Sequence, residues 1–172
     1  GEKGVGKTAI VAGLAQKIVA GQIPKELQEK RIFQLDIASL ISGTSNRNEI
    51  EEHLREALSE ISKADSNSII LVDDLHVLLP VSSIRAHLAQ ANLQFIGTLT
   101  TQEYRRHVEK DKIFDRHFHL IPIEEPHEEH AVAMLQVLKP KYEKFHNVTI
   151  ADDALKSCVK LSKKYEKFLS EP

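Results

Sequence analysis

The first eight residues, Gly1-Glu2-Lys3-Gly4-Val5-Gly6-Lys7-Thr8, fit the pattern G-x-x-x-x-G-K-[ST] at every fixed position. This P-loop pattern has a physical basis. Glycines let the backbone turn tightly and aim its N–H groups inward, at phosphate oxygens. Lys7 is placed to reach the β- and γ-phosphates, and the Thr8 hydroxyl to bind Mg²⁺. A helix following the loop adds its positive end to the same anion site. At average glycine frequency, a chance match in a chain of this length is roughly a one-in-a-hundred event. Gly1, Glu2, Lys3, Gly4, Val5, Gly6, Lys7 and Thr8 are therefore the candidate nucleotide cradle.

Such a loop connects a buried strand to a helix. No strand precedes Gly1, so the sequence is expected to be a fragment of a longer protein. From Lys7 the helix signal is clear: Ile10, Val11, Leu14, Ala15, Ile18 and Val19 recur at helical spacing, and Gly21 is a natural stop. Arg31 to Ile37 reads as a strand, and 43–48 as a loop. Ile50, Leu54, Ala57, Leu58 and Ile61 mark a second amphipathic helix ending near Asp65-Ser66-Asn67.

Ser68 to Asp74 (SIILVDD) is the second informative stretch. Four apolar residues in a row suit a strand buried on both faces, as in parallel sheets. Downstream of a P-loop, an apolar strand ending in Asp is the Walker B pattern. Asp73 then belongs to the Mg²⁺ shell, and Asp74 is placed to orient the attacking water.

Further along, 82–91 can form a short helix and Gln94 to Thr100 a third strand. Thr101 to Asp111 reads as a helix capped by Thr101. His117 to Ile123 (HFHLIPI) reads as a fourth strand, with Pro122 suited to an edge. This alternation implies an α/β fold with a mostly parallel sheet. After Pro126 the pattern becomes helical: 131–138, then 142–145 beyond a break or kink at Pro140, then 152–168. A boundary near Glu125 divides a large subdomain, 1–124, from the start of a small helical one, 125–172.

Composition narrows the function. Hydrophobic residues are 41% and charged residues 28% of the chain, as in soluble globular proteins. The net charge of −2 gives no electrostatic case for a nucleic-acid or membrane partner. One cysteine, Cys158, excludes an internal disulfide framework, and its helical context suggests a core position. His127 and His130 lack the i, i+4 spacing of H-E-x-x-H, and His117 and His119 share one strand face. Solvated or packed histidines are expected there, not zinc ligands. The Lys/Glu-rich tail from Lys156 to Lys167 reads as a solvated helix face. The GTPase motifs D-x-x-G and N-K-x-D are absent, as is LSGGQ. Small-molecule kinases need only a P-loop and a lid and stay open; phosphoryl transfer to a metabolite rather than to water would identify one.

The blocks GEKGVGKTAIVAGLAQKIVAGQIP, LVDDLH, IGTLTTQEYRRHVEKD and LSKKY, in that order, resemble the first ATPase domain of the Clp AAA+ unfoldases (ClpA, ClpB and ClpC, with ClpV a cousin). The resemblance covers nearly the whole chain. It implies a P-loop AAA+ three-layer sandwich followed by the start of a small helical domain. It also implies ATP and Mg²⁺ as ligands, ATP hydrolysis to ADP and phosphate, and a cytoplasmic homo-oligomeric ring, usually a hexamer. Polypeptide substrates and a protease or remodelling partner go with it. On this basis Thr100 matches the sensor-1 position, and Arg116 an arginine finger that reaches the next subunit's site.

Five departures bear on activity. Asp74 stands where the family has Glu, a carboxylate roughly 1 Å further back; a misplacement of that size can cost about 100-fold in rate. His117 replaces a second arginine finger and supplies no permanent forked charge. The substrate-gripping loop, Ser45-Asn46-Arg47-Asn48, has no aromatic residue. The long segment after Walker B is cut to 77–83. The sequence stops at Pro172, before the helices that complete the small domain. The expected protein binds ATP, turns it over slowly and threads substrate poorly. The alternative is a non-hydrolysing, nucleotide-regulated assembly or interaction domain, separated from the first reading by turnover.

Overall fold

The sheet is organised around a strand buried at every residue. In the computed structural model, which describes residues 1–42, 46–64, 67–79, 93–111, 114 and 117–165, three parallel strands lie in the order β1-β2-β3: β1 Arg31–Leu35, β2 Ser68–Val72 and β3 Gln94–Gly97. The register aligns Arg31 with Ser68 and Leu35 with Val72 on one side, and Ile69 with Gln94 and Val72 with Gly97 on the other. The SIILV run has β-branched, apolar side chains on both faces, so it is stable only where both faces are covered.

Helices of 3.6-residue periodicity surround this sheet. Helix α1, Lys7–Val19, buries Val11 and Ile18, with Leu14 and Ala15 half-buried between them. Ile10 and Val19 are exposed instead of joining that face. The helix ends as the Gly21 N–H donates to the Ile18 carbonyl and the Gln22 N–H to the Lys17 carbonyl. Strand β1 stops two residues earlier than the sequence suggests, because the Asp36 side chain accepts from the Ser39 N–H and caps α2, Ile37–Ile41. Helix α3, Arg47–Ala64, presents Leu54 and Leu58 one turn apart, both fully buried. With Ile70, Val72, Leu75, Leu78, Val108 and Phe114 they form the core. Truncating either leucine to alanine costs about 2–5 kcal/mol. A Cβ at Gly97 on β3 would lie 2.6 Å from Leu75 Cδ2, so a larger residue there would have to displace the end of the Leu75 side chain.

The helix after β3, α4, spans Thr101–His107. Its cap is Thr100, not Thr101. Thr100 and Glu103 form a reciprocal capping box, which only the residue three before a Glu can do. The stretch 118–123 forms no strand. No described strand lies beside it to complete its hydrogen bonds, Pro122 has no N–H, and Leu120 and Ile121 are 62% and 74% exposed. The expected helix over 82–91 lies outside the described residues.

The chain divides into two units, Gly1–Ile123 and Glu124–Pro172. The second is an antiparallel-type helix pair joined by a short turn. Helix α5, Glu128–His146, continues past Pro140 as one element instead of two. A proline removes one i→i−4 bond, and the long helix on either side retains the rest. Asn147, in the left-handed conformation with φ 52°, ends it. Helix α6, Asp152–Tyr165, starts with two aspartates and ends with Lys163 and Lys164, charges that suit its dipole. Leu155 is its buried residue, whereas Cys158 is exposed and not in the core. The inward row runs from Leu155 to half-buried Val159, four residues on, and Cys158 falls beside it. Lys139 binds Asp152 at 2.8 Å, Glu143 Oε1 accepts from the Ile150 N–H at 2.8 Å, and Lys163 binds Glu128 at 2.9 Å. No described helix is long and apolar enough to cross a membrane.

Candidate nucleotide site

The loop before α1 turns through two left-handed glycines, Gly4 (φ 84°) and Gly6 (φ 98°). Gly6 is the N-cap of α1, and the first turn of that helix carries no acidic residue. Its N–H groups and dipole therefore face the loop without an internal counter-charge. The Lys7 ammonium donates to the carbonyls of Gly1 (3.1 Å) and Glu2 (2.8 Å), within the loop's own ring. The Val5 N–H reaches the Glu2 carbonyl at 3.4 Å, Lys3 is exposed, and the Gly1 nitrogen lies 3.4 Å from the Leu99 carbonyl oxygen. A glycine-lined turn with an ammonium beside it and a helix N-terminus behind it fits a polyphosphate.

The buried strand β2 delivers two carboxylates at its end. Asp73 is half-buried and accepts from the Thr8 hydroxyl at 3.2 Å and 3.0 Å, through its two oxygens. The Thr98 hydroxyl donates to Asp73 Oδ1 as well. Thr98 is buried, follows directly on β3, and its N–H donates to the Val72 carbonyl at 3.0 Å. Thr8 and Asp73 thus converge as two hard oxygen donors, a set that fits a Mg²⁺ retaining most of its waters. Asp73 also borders a cleft lined by Gln34, Leu35, Asp36, Ile37 and Ala38, outside the carboxyl ends of the parallel strands.

Asp74 differs. It is exposed, its backbone is left-handed at φ 52°, and its N–H donates to Thr98 Oγ1 at 3.1 Å. The short helical turn Leu75–Val77 follows. There His76 Nδ1 is buried and, among the described residues, without a hydrogen-bond partner, 3.5 Å from Glu103 Oε1. Burial pushes the Glu103 carboxyl up. The hydrogen bonds of Thr100 and the electrostatic influence of nearby His76 and Lys7 outweigh it and hold Glu103 below the ordinary carboxylate range.

The sequence pattern of the ATPase family associated with various cellular activities (AAA) matches residues 1–114, and that of the AAA lid domain matches 127–169. The chain belongs to the AAA family of ATPases. It is 40% identical over 182 aligned residues to the chaperone protein ClpB of Aquifex aeolicus, covering 100% of this chain and 18% of that protein. It is 41% identical over 175 residues to the ATP-dependent Clp protease ATP-binding subunit ClpE of Bacillus subtilis, covering 96% and 25%. The solved Hsp104–ADP complex of S. cerevisiae superimposes with a TM-score of 0.88 at 37% identity, over 96% of this chain and 30% of that one. The chain spans about a fifth of the ClpB proteins it matches. It is a Clp-type AAA+ module with the expected α/β fold, and nucleotide binding goes with the family.

Within this AAA module the structure brings the loop residues, Thr8 and Asp73 together. Besides the Thr8 hydroxyl, Asp73 accepts from the Thr98 hydroxyl, while the Thr100 hydroxyl accepts from the Glu103 N–H at 3.2 Å. Arg116 and Ser45 lie outside the described residues; His117 is exposed. Asn46 caps the start of α3, accepting the Asn48 N–H on its side chain at 3.3 Å. Thr98, His76 and Glu103 are the site residues the sequence reading missed. Thr98 and Thr100 are two residues apart just after β3, and in an extended strand that spacing would put them on one face, so spacing alone does not separate them. The T-x-x-E pattern at Thr100 was the available signal that its hydroxyl oxygen caps α4.

Proposed function

We propose that this chain is the ATP-binding AAA+ module of a Clp-type protein-remodelling chaperone or unfoldase that holds ATP well and hydrolyses it slowly. The observation that carries this reading is the contrast at the end of β2. Asp73 is fixed by Thr8 and Thr98, while Asp74 is exposed and, among the described residues, held through its backbone N–H on Thr98. Gly1 to Thr8 bind the phosphates, with Lys7 supplying charge, and Thr8 and Asp73 hold Mg²⁺ through its waters. Bound Mg²⁺ neutralises charge on the β- and γ-phosphates. Asp74 orients the attacking water from too far back, Thr100 acts near the γ-phosphate, and Arg116 serves the neighbouring subunit's site.

The large subdomain, 1–124, and the small helical one, 125–172, belong to a cytoplasmic homo-oligomeric ring, a hexamer by family resemblance. Polypeptide substrates pass weakly through it, because Ser45 to Asn48 offers no aromatic grip. An S. cerevisiae Hsp104 structure with casein illustrates the type of substrate a similar protein meets. The exposed Asp74 also supports a second reading, a nucleotide-regulated assembly domain that does not hydrolyse at all.

The test is ATP binding and turnover by the full-length protein. Saturable Mg²⁺-dependent binding with slow phosphate release is the expected result. Absence of binding would exclude both readings, and binding with no release would favour the second. A separate assay installs an aromatic residue in the Ser45–Asn48 stretch; unchanged substrate unfolding would remove the threading part of the proposal.

A further inference from the structure

Beside the candidate Mg²⁺ position lies a second set of ligands, of softer chemistry. Asp74, His76 and Glu103 each offer one ligand atom, and these atoms lie within 4.8 Å of one another. We propose that they form a transition-metal site of the zinc class, distinct from the Mg²⁺ site of Thr8 and Asp73.

Three observations carry it. First, His76 Nδ1 is buried and makes no hydrogen bond, although a buried imidazole nitrogen ordinarily finds a partner. Second, its distance to Glu103 Oε1 is 3.5 Å. That exceeds a normal N–H···O bond of about 2.7–3.2 Å. It is close to the roughly 3.4 Å expected between two ligands of one tetrahedral zinc, given metal–ligand distances near 2.0–2.2 Å. Third, the side chains of Glu103 and His76 are oriented from behind. Glu103 Oε2 accepts from the Thr100 N–H at 2.8 Å, which leaves Oε1 toward His76. The His76 ring stacks against His107 with centroids 6.2 Å apart. The Asp74 N–H is fixed on Thr98, and its exposed side chain rotates to close the remaining gap. Outer partners of this kind orient ligands at built metal sites.

The donor set selects the metal. One imidazole nitrogen and two carboxylates suit zinc and its neighbours in the first transition row, whereas Mg²⁺ prefers an all-oxygen octahedron. Three protein ligands leave a fourth position open. Occupancy also takes the Asp74 carboxylate away from water. Metal loading then slows ATP turnover without loosening ATP binding. That consequence rests on the proposed role of Asp74; the site itself does not.

The test is Co²⁺ titration of the full-length protein in Mg²⁺-containing buffer, followed by visible absorption, with Zn²⁺ as competitor. The expected result is a tetrahedral-type d–d band that Zn²⁺ abolishes. His76→Ala and Glu103→Gln each weaken Co²⁺ binding by about tenfold or more. Glutamine still completes the capping box, so Glu103→Gln reports on the metal and not on helix α4. The band persists in Lys7→Ala, which disables the nucleotide cradle, and in His127→Ala, which removes an exposed histidine elsewhere. A missing band in the unaltered protein, or a band indifferent to both His76→Ala and Glu103→Gln, overturns the site. Failure of the nucleotide reading leaves this experiment unaffected.

Discussion

Asp73 and Asp74 leave the same buried strand one after the other and meet opposite surroundings. Asp73 is half-buried and receives hydroxyl hydrogen bonds from two different segments of the chain, the start of α1 and the end of β3. Asp74 turns out into solvent on a left-handed backbone. One position is pre-organised before any ligand arrives; the other is left to its own rotamers. On the proposed reading, the difference separates holding a nucleotide from hydrolysing it within two residues. Ground-state binding needs only fixed donors and charges, whereas hydrolysis needs a carboxylate set to within about 1 Å.

The largest effect is expected on the pre-organised side. Lys7→Ala removes the ammonium of the cradle and lowers ATP affinity on the order of 100-fold, a typical loss for a charged hydrogen-bonding group; equilibrium binding of a fluorescent ATP analogue checks it. Thr98→Val comes next. It keeps the shape of the side chain but strips Asp73 of a donor and the Asp74 N–H of its acceptor. The expected cost is about 1–3 kcal/mol of stability, read by denaturant unfolding, together with weaker Mg²⁺-dependent ATP binding. If Thr98→Val changes neither, Asp73 is not held as described and the contrast disappears.

At the residues around Asp74 the effects on stability are smaller. Thr100→Ala removes the cap of α4 and costs about 1 kcal/mol, and Thr100→Ser restores it. Glu103 adds a pH dependence of definite sign. Its folded value lies below the ordinary carboxylate value of 4.5. Its contribution is complete above the unfolded pKa and is lost as pH falls through the lower folded value. Unfolding free energy of Glu103→Gln should therefore fall less steeply in acid than that of the unaltered protein. The smallest effect is expected at the exposed pair Lys139–Asp152. The Asp152 carboxyl, lowered by its hydrogen bond to Lys139, contributes above the ordinary value of 3.8 and loses that contribution in stronger acid. Asp152→Asn should flatten only that limb, in a thermal-melt series across pH.

Legibility in the sequence followed the strength of local chemistry. The P-loop could be read because its glycines and lysine are dictated by the ligand. Strand β2 could be read because only full burial suits SIILV. The helix α3 stripe, with Leu54 and Leu58 fully buried, followed from period alone. Where two polar residues compete for one role, the outcome depended on contacts distant in sequence. Thr98 reaches Asp73 across 25 residues, and Glu103 meets His76 across a helix start. No period or spacing encodes either contact. The segment 118–123 shows the converse: its apolar alternation is a strand signal, yet pairing needs a neighbour that the pattern does not supply. Cys158 shows the limit of helical context, since one position along a helix separates a buried row from an exposed one.

The most direct test is steady-state ATP turnover by the full-length protein with Asp74 and with Asp74→Glu, taking Lys7→Ala as the blank. The account predicts turnover near the blank for Asp74 and a rise of about 100-fold for Asp74→Glu. Turnover by the Asp74 protein equal to that of Asp74→Glu would contradict it, because the shorter carboxylate would then be fully compensated and the site a working motor.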